Sequence, residues 1–207
     1  MSEKGKGWLL VLAALAGVWL IRHGAESRLI PPQPTTAQAF AAGPAPQPGS
    51  PVAEPLKPSA PVRIRIPSIR VDAPMTRLGL GADGSLDVPP AEDRNLVGWY
   101  GGGTPPGSKG SAIVAGHVDN ARGRSVFYDL GALQKGSEVE VVRRDGRTAV
   151  FSLDAIEVYD SDAFPDERVY GDSPYASVRL ITCGGGFSKK TGYQGNVVAY
   201  AHLTEVR

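Results

Sequence analysis

From Arg63 to Ile66 the chain alternates arginine and isoleucine, and a period of two marks a strand with one face toward a core. Val71-Asp72-Ala73-Pro74-Met75 resumes the pattern after a short turn. Ser85-Leu86-Asp87-Val88 follows the turn signal Asp83-Gly84 and reads as another strand. Ser111 to Gly116 is a short apolar run that leads into His117. Glu138–Arg143 and Thr148–Leu153 flank Asp145-Gly146, a strong hairpin signal, and Ala155–Tyr159 extends the second of them. Val178–Thr182 and Asn196–Leu203 complete the set. Helical patterning is confined to Phe127–Leu133 and a turn around Asp162–Val169. Many short strands punctuated by Gly and Pro predict an all-β domain, a barrel or a sandwich.

Upstream the pattern changes twice. Lys4 and Lys6 precede an uncharged run from Trp8 to Ile21, which Arg22, His23 and Arg28 follow. As a helix that run spans about 21 Å against a hydrocarbon core of roughly 30 Å, short for a span unless Gly7 and the Lys6 stem extend it. A basic start and an apolar stretch of this length also suit a secretory signal. Arg22 lies between the run and the small-x-small site Ala25-Glu26-Ser27, which disfavours cleavage. The expectation is therefore an uncleaved anchor over residues 1–30, basic end in the cytoplasm, with the remainder outside the cell. Residues 31–61 interleave prolines with Ala, Gln, Thr, Ser and Gly, and read as a disordered, semi-rigid linker. Residues 62–207 are long enough for one domain with its own core.

Composition narrows the function by exclusion. The 207 residues carry a net charge of +1, with no basic block outside the N-terminus, so nucleic acid is not an expected partner. The chain has no P-loop, no dinucleotide fingerprint and no Cys or His pair at metal spacing. Asp166, Glu167 and Asp172 do not follow a calcium-loop spacing, and neither metal nor cofactor is expected. The single cysteine, Cys183, excludes an internal disulfide.

That cysteine carries the chemistry. Leu180-Ile181-Thr182-Cys183 is an apolar run ending in a thiol, and three glycines follow it. A thiol is a poor nucleophile until deprotonated, and a neighbouring imidazole can take its proton. His117 stands at the end of another strand, so the two side chains are candidates for a Cys–His dyad at the mouth of a sheet. A lone cysteine is also a common small buried hydrophobe, and a lone histidine is often a satisfied polar residue.

The motifs decide between these readings. Gly116-His117-Val118-Asp119, Leu180-Ile181-Thr182-Cys183 about 65 residues on, Gly195-Asn196-Val197-Val198-Ala199-Tyr200-Ala201, Asp87-Val88-Pro89-Pro90 and Gly98-Trp99-Tyr100 together resemble the sortases. These are cysteine transpeptidases of Gram-positive cell surfaces, and the set is most similar to the class F branch of high-GC bacteria. The resemblance covers residues 62–207. It implies a closed β-barrel of about eight strands, catalytic Cys183 and His117, and a sorting-signal peptide of Leu-Pro-x-Thr-Gly type as substrate. It also implies a thioester on Cys183 and transfer to a peptidoglycan precursor amine.

One family feature is missing. Sortases usually place an arginine near the start of the strand after the cysteine, where it binds substrate and stabilises the oxyanion. Here that stretch reads Gln194-Gly195-Asn196, and no arginine lies between Cys183 and Arg207. Asn196 could supply an amide donor instead or simply cap the strand. Arg122 and Arg124 could reach the site from a loop. The alternative function is a non-catalytic or weakly hydrolytic peptide-binding module on the same barrel. An L,D-transpeptidase would need a Ser-His-Gly-Cys-type signature, which this chain lacks.

Overall fold

In the computed structural model, which describes residues 30–40, 52–188, 190 and 192–207, the alternating runs become the staves of one closed barrel. Its strands are β1 (Pro61–Ile66), β2 (Val71–Leu78), β3 (Val97–Tyr100), β4 (Gly110–Gly116), β7 (Glu138–Arg143), β8 (Thr148–Asp160), β9 (Ala176–Ser188) and β10 (Gly192–Val206). A two-stranded hairpin, β5 (Asp119–Asn120) and β6 (Gly123–Arg124), stands apart from them. Around the barrel the order is β1-β2-β3-β4-β9-β10-β8-β7, closed by pairing of β7 with β1. The all-β, eight-stranded barrel expected from sequence is the observed architecture.

Alternation sets what lies inside. Ile64, Ile66, Val114, Phe127, Val141, Phe151, Leu180 and Leu203 are wholly buried in the main core. Each contributes roughly 1.5–3 kcal/mol relative to exposure, and with no disulfide this packing holds the fold. A smaller cluster of Ile113, Val169, Ile181, Val198 and Tyr200 lies on the other face of the same strands. Two adjacent pairs are parallel, β2 with β3 and β4 with β9, and parallel neighbours need crossover connections. The 79–96 crossover and the segment leading into β9 wall in this outer face.

Several expectations are corrected. Ser85–Val88 is not a strand, since only the bridge Leu80↔Leu86 forms. Asp83 Oδ1 accepts from the Ser85 amide at 3.0 Å and closes a turn, and Pro89 and Pro90 lack donors for a ladder. β3 is a strand the pattern did not reveal, because Gly98 interrupts its short run: a side chain there would strike Leu78. Phe127–Leu133 contains only a 3-10 turn, Leu130–Ala132, while the Asp162–Val169 region gives one short helix, α1 (Asp166–Tyr170). β9 continues past Thr182 to Ser188.

Parts of the segment expected as a disordered linker lie against the barrel. Ala53 N–H donates to Leu203 O at 2.9 Å and Leu56 N–H to Gly107 O at 2.8 Å. The buried Arg143 guanidinium donates to the carbonyls of Lys57 and Pro106. Farther upstream Gln38 donates to Leu133 O, Lys135 Nζ to Ala39 O at 2.7 Å, and the Phe40 ring meets Tyr200 edge-on at 5.0 Å. The Trp8–Ile21 run expected to form the anchor lies outside the described residues. Among the described residues no helix is long and apolar enough to cross a membrane.

Candidate active site

β9 pairs with β4 on one side and β10 on the other, and this triple ladder places every candidate residue. The parallel β4/β9 register runs to Ala115↔Ile181, where β4 ends one residue later. Carried two residues further on both chains, that register would set His117 and Cys183 at the same level and on the outer face. On the other side Cys183 is directly opposite Asn196. Directly opposed antiparallel residues have Cβ atoms about 4.5–5.5 Å apart, so the Asn196 amide is within side-chain reach of the thiol. Residues separated by 66 and 13 positions are thus brought together by register alone.

Cys183 is therefore not at the end of its strand, as the sequence suggests, but at the point where β4 stops and one flank of β9 opens. Gly185 (φ 74°) and Gly186 (φ 96°) follow in the left-handed region, where a β-carbon is strained. They and Gln194 form an irregularity between the pairs Tyr193↔Phe187 and Gly195↔Gly184. Thr182 points inward and is buried; among the described residues its Oγ1 finds no hydrogen-bond partner.

The imidazole is held from the 79–96 crossover. His117 Nε2 lies 2.6 Å from Pro89 O, and a carbonyl only accepts, so Nε2 carries the proton. Nδ1 is left as the nitrogen that can exchange a proton with the thiol. Cys183 is solvent-exposed as a residue, yet partial burial of its sulfur pushes its pKa up, and the Asp119 carboxylate pushes it further. At rest it is a neutral thiol that needs a base.

Asp119 is itself fixed. Tyr193 donates its hydroxyl to Asp119 Oδ2 at 2.5 Å, and burial followed by this bond raises the tyrosine pKa. Asp119 is opposite Arg124 in the β5/β6 hairpin, and the Arg124 guanidinium lies 4.3 Å from the Tyr128 ring centroid. Arg122 sits at the exposed turn of the same hairpin, its carbonyl accepting from Arg94. Asn120 bonds Ala91 O at 2.6 Å. Arg179 shares the outer face with Cys183 but lies four pairs back, buried over the Tyr200 ring at 4.9 Å. His202 is buried and its Nδ1 lies 2.7 Å from Asp154 Oδ1, remote from the thiol.

A groove of about 630 Å³ leads away from the thiol along the outer face. Its floor is Ser111, Ile113 and Ala115 of β4 with Ile181 of β9, and Asn196 closes the end nearest Cys183. Leu80, Leu86, Val88 and Tyr100 form one wall, and Asp166, Tyr170 and Asp172 border the other. Tyr100 thus lines the groove, whereas Trp99 is buried with its indole donating to Thr104 O at 3.2 Å. An apolar trough beside a thiol and an imidazole can hold an extended peptide with a carbonyl at the sulfur.

A family comparison agrees with this geometry. The sortase domain matches residues 64–204, well over half of the chain. The chain belongs to the sortase family. A search of curated protein sequences finds no match. Among solved sortases, sortase A from Corynebacterium diphtheriae superposes with a TM-score of 0.53 at 21% identity, covering 72% of this chain and 62% of that one. Sortase A of Listeria monocytogenes gives 0.54 at 18%, covering 72% and 90%. Sortase E1 from Streptomyces coelicolor, solved with a tripeptide in its active site, gives 0.53 at 18%, covering 79% and 93%. Identity at this level shows a shared sortase fold.

Sequence reasoning did not single out Pro89 or Tyr193 for the roles seen here. Pro89 lay in plain view within Asp87-Val88-Pro89-Pro90, but only the fold aims its carbonyl at His117. Tyr193 carried one usable signal: extending the alternation of the final strand backward places it on the barrel.

Proposed function

We propose that this chain is a sortase transpeptidase that joins secreted proteins to a cell-wall amine. The observation that supports the proposal is the register that pairs Cys183 with Asn196 and ends the β4/β9 ladder two residues short of His117 and Cys183, with Asn196 at the end of an apolar groove. His117 Nδ1 takes the thiol proton as the sulfur attacks a peptide carbonyl in the groove. The tetrahedral oxyanion accepts a hydrogen bond from the Asn196 side-chain amide, in place of the family's guanidinium. Collapse breaks the C–N bond, and the imidazolium gives its proton to the departing amine. A thioester remains on Cys183. A second amine then attacks it, His117 relays that amine's proton to the sulfur, and an amide and free thiol result.

The motifs favour a class F enzyme and a Leu-Pro-x-Thr-Gly-type signal, with a peptidoglycan precursor as acceptor. The basic-flanked Trp8–Ile21 run supports membrane anchorage with the barrel outside the cytoplasm. The lack of an arginine on β10 favours one second reading, a peptide-binding barrel with little or no turnover.

Product analysis separates them. Full-length chain in neutral detergent is mixed with a Leu-Pro-x-Thr-Gly peptide, with and without a glycine-based amine. The transpeptidase gives the amine-linked product when amine is present and slow hydrolysis without it. Both are lost in Cys183→Ala and His117→Ala. Binding without any product would establish the second reading.

A further inference from the structure

The charged side chains that line the groove are all of one sign. Its charged lining residues are Asp87, Asp166 and Asp172, and no lysine, arginine or histidine lines it. All three aspartates are exposed, and among the described residues none is in an ion pair. Nor do three or more His, Cys, Asp or Glu side chains there group closely enough to hold a metal ion. The floor between them is apolar. A trough with an apolar floor and an unneutralised anionic rim complements an extended peptide carrying apolar side chains and a cationic one.

The ladder gives the distances. Ser111 pairs with Ser177, six residues before Cys183, and its hydroxyl bonds Gly171 O at 2.8 Å, next to Asp172. At about 3.3 Å per strand residue the far rim lies roughly 20 Å from the thiol, the reach of some six extended peptide residues. Asp87 lies nearer, two residues before the Pro89 that holds His117. The acyl half of the substrate stays bound to Cys183 through both half-reactions while the amine half is exchanged. The half that is retained is the one a built groove serves.

Resting on the sortase reading above, we infer that this groove selects donor peptides with a lysine or arginine about five or six residues on the acyl side of the scissile bond, just beyond the motif leucine. Asp172 receives the cation at the far end, and Asp87 and Asp166 favour positive charge closer in. The preference belongs to the donor peptide, so it exists before any acceptor amine arrives.

The test is a lysine scan. Matched peptides with one Lys, Gln or Glu at successive positions on either side of the scissile bond are offered to the full-length chain without amine. Acylation kcat/KM is read at low and high salt, and binding of the same peptides to Cys183→Ala is read by fluorescence anisotropy. The inference expects Lys over Gln by about fivefold to tenfold at the far acyl-side positions, Glu below Gln, and a ratio near twofold in 0.5 M salt. The triple variant Asp87→Asn, Asp166→Asn, Asp172→Asn should bring the Lys/Gln ratio toward one, whereas Glu138→Gln, off the groove, should leave it. Equal handling of Lys, Gln and Glu peptides, or a preference that survives the triple variant, overturns the charge inference and leaves the transpeptidase intact. Lys-selective binding to Cys183→Ala with no acylation of the wild type does the reverse. A preference confined to the leaving side also overturns it.

Discussion

Two causes hold the Cys183 thiol above its ordinary pKa, burial first and the Asp119 carboxylate second. Both disfavour the thiolate, so removing the charge must lower the pKa. Asp119→Asn should therefore move the pH profile of Cys183 alkylation to lower pH, with more thiolate at any given pH below the midpoint. A profile unchanged or moved upward would show that Asp119 does not face the sulfur. Asn196→Ala should lower the rate of acylation by about 10²–10³-fold with a much smaller change in KM, the size typical of losing one oxyanion donor. A loss below threefold would transfer that role elsewhere, with Arg124 the first candidate. At this scale the sequence nominated the thiol and imidazole through their motifs, and Asn196 by counting along the final strand. It did not reveal that the Pro89 carbonyl holds His117 or that the Tyr193 hydroxyl holds Asp119, because both act through tertiary placement that no local pattern encodes.

The β9/β10 hairpin is the element that makes the site. Read locally, Gly184-Gly185-Gly186 ends a strand, yet pairing with β10 carries β9 on to Ser188. Tertiary pairing overrides local propensity here, as it commonly does for strands. The two left-handed glycines differ in a measurable way. A β-carbon on Gly186 would meet only the Gln194 side chain at 3.5 Å, so alanine there suffers backbone strain alone, about 1 kcal/mol. On Gly185 it would also press on the Gly195 backbone at 3.2 Å. Urea unfolding should rank Gly185→Ala as the more damaging of the two, at about 2–3 kcal/mol. Equal losses would contradict this register. The alternating strands β1, β2, β7 and β8 were legible because each has one face in the core. β3 was not, since it is only four residues long and contains a glycine that Leu78 requires.

At the scale of the whole molecule, composition put the domain boundary at residue 61, and packing puts it earlier. Proline content reports the absence of helix and central strand, not the absence of contact, and an extended segment can still satisfy buried donors. Arg143 shows the consequence, since its buried guanidinium depends on the Lys57 carbonyl. A chain beginning at Val62 should be less stable than one beginning at Val52 by about 1–3 kcal/mol, with a Tm several degrees lower. Matching melting curves would place residues 52–61 outside the folded unit. The all-β character was legible from the strand pattern, which left barrel and sandwich open; closure and about eight staves came from the resemblance to the sortases. The groove was not legible, because its walls are the two connections whose paths depend on the parallel pairs β2/β3 and β4/β9. The most direct test of the account is an acid-quenched intact mass of the full-length chain mixed with a Leu-Pro-x-Thr-Gly peptide and no amine. A mass increase equal to the acyl half of the peptide, localised to Cys183 and discharged by added amine, is the predicted result. A folded chain with a reactive thiol that gains no mass from any such peptide would contradict it.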